Sequence, residues 1–363
     1  MAFKRNLDYI QAYSLYREGV GGEAGYGDGN VVPHASIDQL RSIGDGRIES
    51  IIRDQWDNSG HRGKGHEFAG SSEIQTRISE GRISGEVDTH MLGMLLLITM
   101  GGASPSTPSG GTDTRDHAFT PQDPAGSLQL PSTTFAAQHH DDVGYFLYPG
   151  CVGESFTLRG GRRQYVTGDF NLRGNGRRTL QAGFSKPDYT AHRLLRDSVS
   201  TFSFGPVDSP VAYTSQVVSW EITYNNNLQL DQTYYPRGDA GLYESGQPER
   251  GMVGGRKLFG ARTITGRFVM LMESDIVRTA EEQNLVRELL ITSQGDEIED
   301  TFNDGLTIRF EDVRFRQSRY GNEGDLVAVT WDILVHMPSS GLWADLLTIT
   351  LRNGVDEYGL IPA

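Results

Sequence analysis

The 363-residue chain has a single cysteine, Cys151, and only four lysines, and its most apolar run is the ten residues Met91 to Met100. One cysteine leaves no intrachain disulfide and no multi-cysteine zinc site. Ten residues are about half of what spans a bilayer, so this run is expected to be a short buried helix, and no membrane partner is expected. Met1-Ala-Phe-Lys-Arg-Asn lacks the apolar stretch of a secretory leader. Basic charge is also short: 33 Lys and Arg stand against 47 Asp and Glu, a net charge of −14. That balance excludes a protein that wraps nucleic acid with a basic face. It does not exclude a surface that DNA slides past, because like charges do not stick.

Catalytic signatures are missing as well. His139-His140-Asp141-Asp142 has metal-ligand chemistry, but neighbours on an extended chain point to opposite sides, and a polar turn is the better reading. His61 and His66 lack a metal-binding spacing. There is no Gly-x-Ser-x-Gly elbow. Asp296, Glu297, Glu299 and Asp300 lack the residue order of a calcium loop and read as a charged loop. The glycines between Gly19 and Gly29 have no strand before them and no Lys-Ser/Thr after them, so they do not form a phosphate loop. No catalytic residue, cofactor or metal is expected, and Cys151 reads as a small buried hydrophobe.

Glycine and proline are what the chain has in plenty, about 16% of it against roughly 12% in average usage. That points to many turns and a mainly β chain. Residues 1–45 read as an extended N-terminal arm, and 46–363 as one β domain with insertions at 101–130 and 229–260. The pattern predicts a strand pair turning at Glu80-Gly81, a helix over 88–100, and a flexible loop from Gly101 to Gly111. It predicts a hairpin of 152–159 with 164–172, and long strands over 217–228 and 261–273. A helix over 275–291, capped by Ser274, and strands over 306–316, 326–337 and 346–352 complete the chain.

A series of segments in order carries a resemblance. Asp116-His-Ala-Phe-Thr-Pro and Leu130-Pro-Ser-Thr-Thr-Phe lead into Tyr148-Pro-Gly-Cys-Val-Gly-Glu-Ser-Phe-Thr-Leu-Arg-Gly. Val166-Thr-Gly-Asp-Phe-Asn-Leu-Arg-Gly, Val218-Ser-Trp-Glu-Ile-Thr-Tyr and Ile264-Thr-Gly-Arg-Phe-Val-Met-Leu follow, and Leu347-Thr-Ile-Thr-Leu-Arg-Asn closes the set. Over residues 60 to 352 the chain resembles the major tail tube proteins of bacteriophages with long, non-contractile tails. The resemblance implies a β-sandwich or partial barrel with one flanking helix, whose strands join an intersubunit inner β-barrel. It implies six copies per ring, and rings stacked into a hollow tube in the virion tail. The partners it implies are further copies of the chain and the tape-measure, baseplate and terminator proteins of a tail, with synthesis in the host cytoplasm. DNA would pass through the lumen without sequence-specific binding.

Strand alternation then assigns faces. Ser219, Glu221, Thr223 and Asn225 oppose Val218, Trp220, Ile222 and Tyr224. Thr263, Thr265 and Arg267 oppose Ile264, Phe268 and Met270. With Ser155, Thr157, Thr167 and Asp169, the polar sets are expected to face the lumen. Tyr234, Tyr235, Arg237, Tyr243, Arg250 and Arg256 in the long loop have interface chemistry and are expected to contact the next ring. Rival readings are another virion protein (capsid, baseplate or terminator), a β-sandwich carbohydrate-active enzyme, or an adhesin.

Overall fold

The computed structural model describes residues 12–18, 31–32, 45–57, 71–125, 130–140, 144–162, 164–174, 176, 179–181, 193–214, 216–228, 234–235, 252–254, 260–272, 276–356 and 358. The first half holds β1 (Ala12–Glu18), β2 (Val31–Val32), β3 (Asp45–Asp57), β4 (Ser71–Glu86), α1 (Thr89–Met100), β5 (Gly101–Ser106), β6 (Arg115–Pro121), β7 (Thr133–His140), β8 (Gly144–Gly161), β9 (Thr167–Gly174) and β10 (Thr179–Gln181). Next come β11 (Arg196–Gly205), β12 (Val211–Ala212), β13 (Val217–Asn225), β14 (Tyr234–Tyr235), β15 (Met252–Gly254) and β16 (Thr263–Leu271). Finally come α2 (Ile276–Glu282), β17 (Arg287–Glu299), β18 (Phe302–Glu323), β19 (Leu326–Val335), α3 (Trp343–Leu346) and β20 (Thr348–Asn353).

Among the described residues the strands form one antiparallel network, broken only by the parallel pair β4–β15, and it folds over into two layers. The first layer runs β3-β4-β9-β8-β13-β16-β19-β18. The second runs β5-β6-β20-β18-β17-β11-β12. β18 belongs to both: Phe302 to Val313 pairs with β17, and Val313 to Glu323 pairs with β19. A small annex of β2, β1, β7 and β10 extends from the first part of β8. The expected β-sandwich is therefore the observed architecture. Residues 12–18 of the proposed arm form β1, which lies antiparallel on β7.

The layers meet through large side chains that alternate inward. Phe202 lies against Phe268 and Phe204 against Phe315, with ring centroids 5.0 and 5.3 Å apart. Trp220, Ile222, Tyr224, Trp331 and Ile333 from the first layer and Ile308, Phe310, Leu289 and Ile349 from the second share this one core. Burying each such side chain contributes roughly 1.5–3 kcal/mol.

Helix α1 fills one end of the sandwich. Eleven of its twelve residues are buried, as suits a helix that is apolar all round. Asp88 caps it, its Oδ1 accepting from the backbone of His90 and Met91 at 3.0 and 3.2 Å. Gly101, at φ 96°, ends it in the left-handed conformation. Arg193 fastens this end: its backbone N–H donates to Asp88 Oδ2, and its Nε donates to Asp304 Oδ2 at 2.7 Å. Burial pushes the Asp304 carboxyl up to about 6, although Arg193 opposes the shift. A folded pKa above the unfolded one means that the folded state holds the proton more tightly. This contribution is thus full below the unfolded value of about 4 and is lost as pH rises through about 6. The stability advantage of the wild type over Asp304→Asn is expected to fall by on the order of 2 kcal/mol between pH 4 and 7. Urea unfolding at both pH values measures this, and an unchanged difference would refute it.

Several sequence expectations are corrected. Residues 71–86 form one continuous strand with no turn at Glu80-Gly81, because Gly81 sits mid-ladder between Ile48 and Leu172. The loop expected from Gly101 begins as strand β5, paired with β6, and turns only near Pro108 to Gly111. The helix over 275–291 stops at Glu282. Asn284 adopts φ 50°, and the Leu285 N–H bonds back to the Ala280 carbonyl, a Schellman closure with asparagine at the left-handed position. From Arg287 the chain is strand β17, with Leu289 and Ile291 turned inward. The proposed cap, Ser274, lies outside the described residues. Asp296, Glu297 and Glu299 belong to the end of β17, and Glu299 Oε1 accepts three successive backbone N–H groups, from Thr112, Asp113 and Thr114. Cys151 is fully buried, inside β8.

Candidate functional site

The first layer has an apolar face against the core and a polar face that nothing covers among the described residues. In β13, Trp220, Ile222 and Tyr224 are buried while Ser219, Glu221, Thr223 and Asn225 point the other way. Val218 is the exception to the expected alternation. A bulge between Val217 and Ser219 gives the core position to Val217. In β16, Phe268 and Met270 are buried, whereas Thr263, Thr265 and Arg267 are exposed.

Register collects the polar side chains into transverse rows. One row joins Asp169, Thr157, Thr223 and Thr265 across β9, β8, β13 and β16. The Thr157 and Thr223 hydroxyls are 2.9 Å apart. A second joins Asn171, Ser155, Asn225 and Thr263, with Asn171 Nδ2 donating to Ser155 Oγ at 2.9 Å. A third crosses seven strands: Glu86, Thr167, Arg159, Glu221, Arg267, Asp332 and Arg316. From Arg159 onward its charges alternate in sign at every step. With Ser219 on the same face of β13, the eleven side chains expected at the lumen lie on one face of this layer.

Ion pairs tie the rows together. Arg159 bonds Glu221 and Asp169, both at 2.6 Å, and Arg82 bonds Asp169 at 2.8 Å. Arg267 pairs with Asp332 at 3.0 Å. Arg173 reaches Glu154 at 2.8 Å and also contacts Glu80. Partial burial raises the Asp169 carboxyl, but hydrogen bonds from Arg159 and Arg82 outweigh it and leave the pKa below the ordinary value. Each exposed pair stabilises by about 1 kcal/mol or less. Their main effect is on the field: the face is nearly balanced in charge, so the net −14 of the chain is not concentrated here. The rows do not present a uniformly anionic surface. Sequence reasoning missed Arg82, Arg159, Arg173, Asn171 and Asp332, although period-two alternation in their strands marks them.

Tyr234 and Tyr235 form the short strand β14, paired with β15, which runs parallel to β4 at Thr76 and Arg77. Arg237, Tyr243, Arg250 and Arg256 lie outside the described residues, as do His61, His66, Asp141 and Asp142. His139 and His140 end β7. Among the described residues no group of three His, Cys, Asp or Glu is placed to hold a metal, and no helix is long and apolar enough to cross a membrane.

A broad polar sheet face with open flanks suits contact with large partners and further copies, the surface of a structural protein. The family model of the phage tail tube protein matches residues 56–308, more than half of the chain, and the chain belongs to that family. No curated protein matches it. Membership makes it a structural component of a phage tail that self-assembles into a tube.

Proposed function

We propose that this chain polymerises as stacked rings into the hollow tail tube of a long-tailed phage, and that the polar face of the first layer lines the bore. The carrying observation is the pairing of family membership with a wide sheet whose one face is core and whose other face is polar and internally ion-paired. Ser155, Thr157, Thr167, Asp169, Ser219, Glu221, Thr223, Asn225, Thr263, Thr265 and Arg267 would then face passing DNA. Arginines already held by carboxylates offer phosphates little, so the duplex slides without sequence-specific contacts. The protein acts through geometry and not as an enzyme. The tape-measure, baseplate and terminator proteins are its proposed partners in the tail, with synthesis in the host cytoplasm, and the 229–260 loop is its proposed contact with the next ring.

Sheet width bears on the copy number. The resemblance implies six copies. Six copies of an eight-strand layer would make a wall with a diameter on the order of 100 Å at ordinary strand spacing and tilt; three copies give about half of that. Full use of the layer therefore favours the smaller ring.

Negative-stain microscopy of the purified full chain is expected to display hollow tubes, and native mass spectrometry of released rings to give the copy number. Protein that stays monomeric at every concentration would overturn the tube reading. Deleting residues 232 to 256 is expected to leave single rings; tubes of normal length would remove the loop from the stacking contact.

A further inference from the structure

The third row begins on a carboxylate, Glu86, and ends on an arginine, Arg316. Inside the layer each arginine on this face has a carboxylate partner: Arg82, Arg159, Arg173 and Arg267. Edge strand β18 breaks the pattern. Arg314, Arg316 and Arg319 stand on the same face by register, and none has an ion pair within the chain among the described residues. Arg314 Nε is buried without a hydrogen-bond partner. Beyond Val313, β18 pairs only with β19 among the described residues, and on its outer edge the Gln317 N–H donates to Glu281.

The strand at the opposite edge is net acidic in sequence. Strand β3 pairs only with β4 among the described residues. It carries Asp45, Glu49, Asp54 and Asp57 against Arg47 and Arg53. Direction fits too. The eight strands from β3 to β18 alternate antiparallel throughout. An even number of alternating strands leaves the two edge strands running oppositely. Joining β18 of one copy to β3 of the next therefore continues the antiparallel order.

We propose that ring closure is keyed by charge: β18 of one copy seats against β3 of the next, with Arg314, Arg316 and Arg319 supplying the positive side of the seam and the β3 carboxylates the negative side. This rests on the tube reading and adds the identity and polarity of its lateral contact. A head-to-tail joint of two different edges is what a ring requires. Like edges repel, so β18 against β18 and β3 against β3 are disfavoured, which leaves one productive register. The same pairing covers both open edges, which otherwise invite uncontrolled strand addition.

Charge reversal tests it in the full chain. Arg314, Arg316 and Arg319→Glu together, or Asp45, Glu49 and Asp54→Lys together, are each expected to lower the polymerised fraction by roughly tenfold or more. The chain carrying both sets is expected to regain tubes. Circular dichroism and thermal melting check that each monomer is folded. If a triple variant fails to fold, Arg314, Arg316 and Arg319→Gln replaces it. Assembly of the wild type should then slow as salt rises, and that of the glutamine variant should respond less. Single-edge variants that polymerise like the wild type overturn the seam, and so does a folded double-set variant that stays unassembled. Wild-type protein that never polymerises fails the tube reading itself, a different result from either.

Discussion

Gly153→Ala is expected to lower the stability of the folded chain by ~3 kcal/mol or more. A Cβ at this position would lie 1.8 Å from Thr99 Oγ1 and 2.8 Å from Thr99 Cα. A side-chain hydroxyl can rotate away, but the Cα belongs to the last turn of α1, and that helix is buried on all sides. Relief requires moving the helix off β8, which opens the core that both layers share. Gly93 faces a similar limit, with a Cβ placed 2.1 Å from the Tyr358 ring. The control is Gly321→Ala in β18, where nothing lies within 4 Å of the added carbon. Urea unfolding compares the two. A Gly153 variant as stable as the Gly321 variant would refute the close packing of α1 on β8 at Thr99.

Asn226→Ala is the second large effect, expected at ~2–4 kcal/mol. Asn226 is fully buried just beyond β13. Its Nδ2 donates to the Thr99 carbonyl at 2.6 Å and the Gly153 carbonyl at 2.9 Å. The first is among the last carbonyls of α1, which lack partners inside the helix. The second sits where β8 bulges away from β9. One amide therefore satisfies a helix end and a strand irregularity together, and alanine leaves both carbonyls buried and bare. Arg159→Ala on the polar face, although it removes two short ion pairs, should change stability by only about 1 kcal/mol or less, because the pairs stand in water. Thermal melting of the two variants ranks them, and an Asn226 variant at or above the Arg159 variant would refute the assignment.

Both sites lie where sequence reasoning is weakest. Gly153 and Asn226 belong to no motif, and their importance comes from Thr99, distant from both along the chain. The failed expectations have the same origin. Gly81 reads as a turn beside Glu80, yet strands on both sides hold it extended. The apolar stripe Val277, Ala280, Leu285 and Leu289 fits one helix, yet only Val277 and Ala280 lie on one; Leu289 reaches the core from a strand. A stripe in the sequence records which side chains are buried and does not distinguish the two ways of burying them.

Composition and alternation by themselves determined the mainly β class and the polar and apolar faces of β13 and β16. Period two is a local property of strands, and one buried face is enough to impose it. The apolar run at Met91 also determined its own fate, since a helix that is apolar on every side has to be buried. Only the tertiary structure decided which strands stand side by side. That order turned scattered arginines and carboxylates into rows of alternating sign, and it left β18 basic at one edge and β3 acidic at the other. The reason is physical: strand register and neighbour order are set by long-range core packing, and no short stretch of sequence contains them.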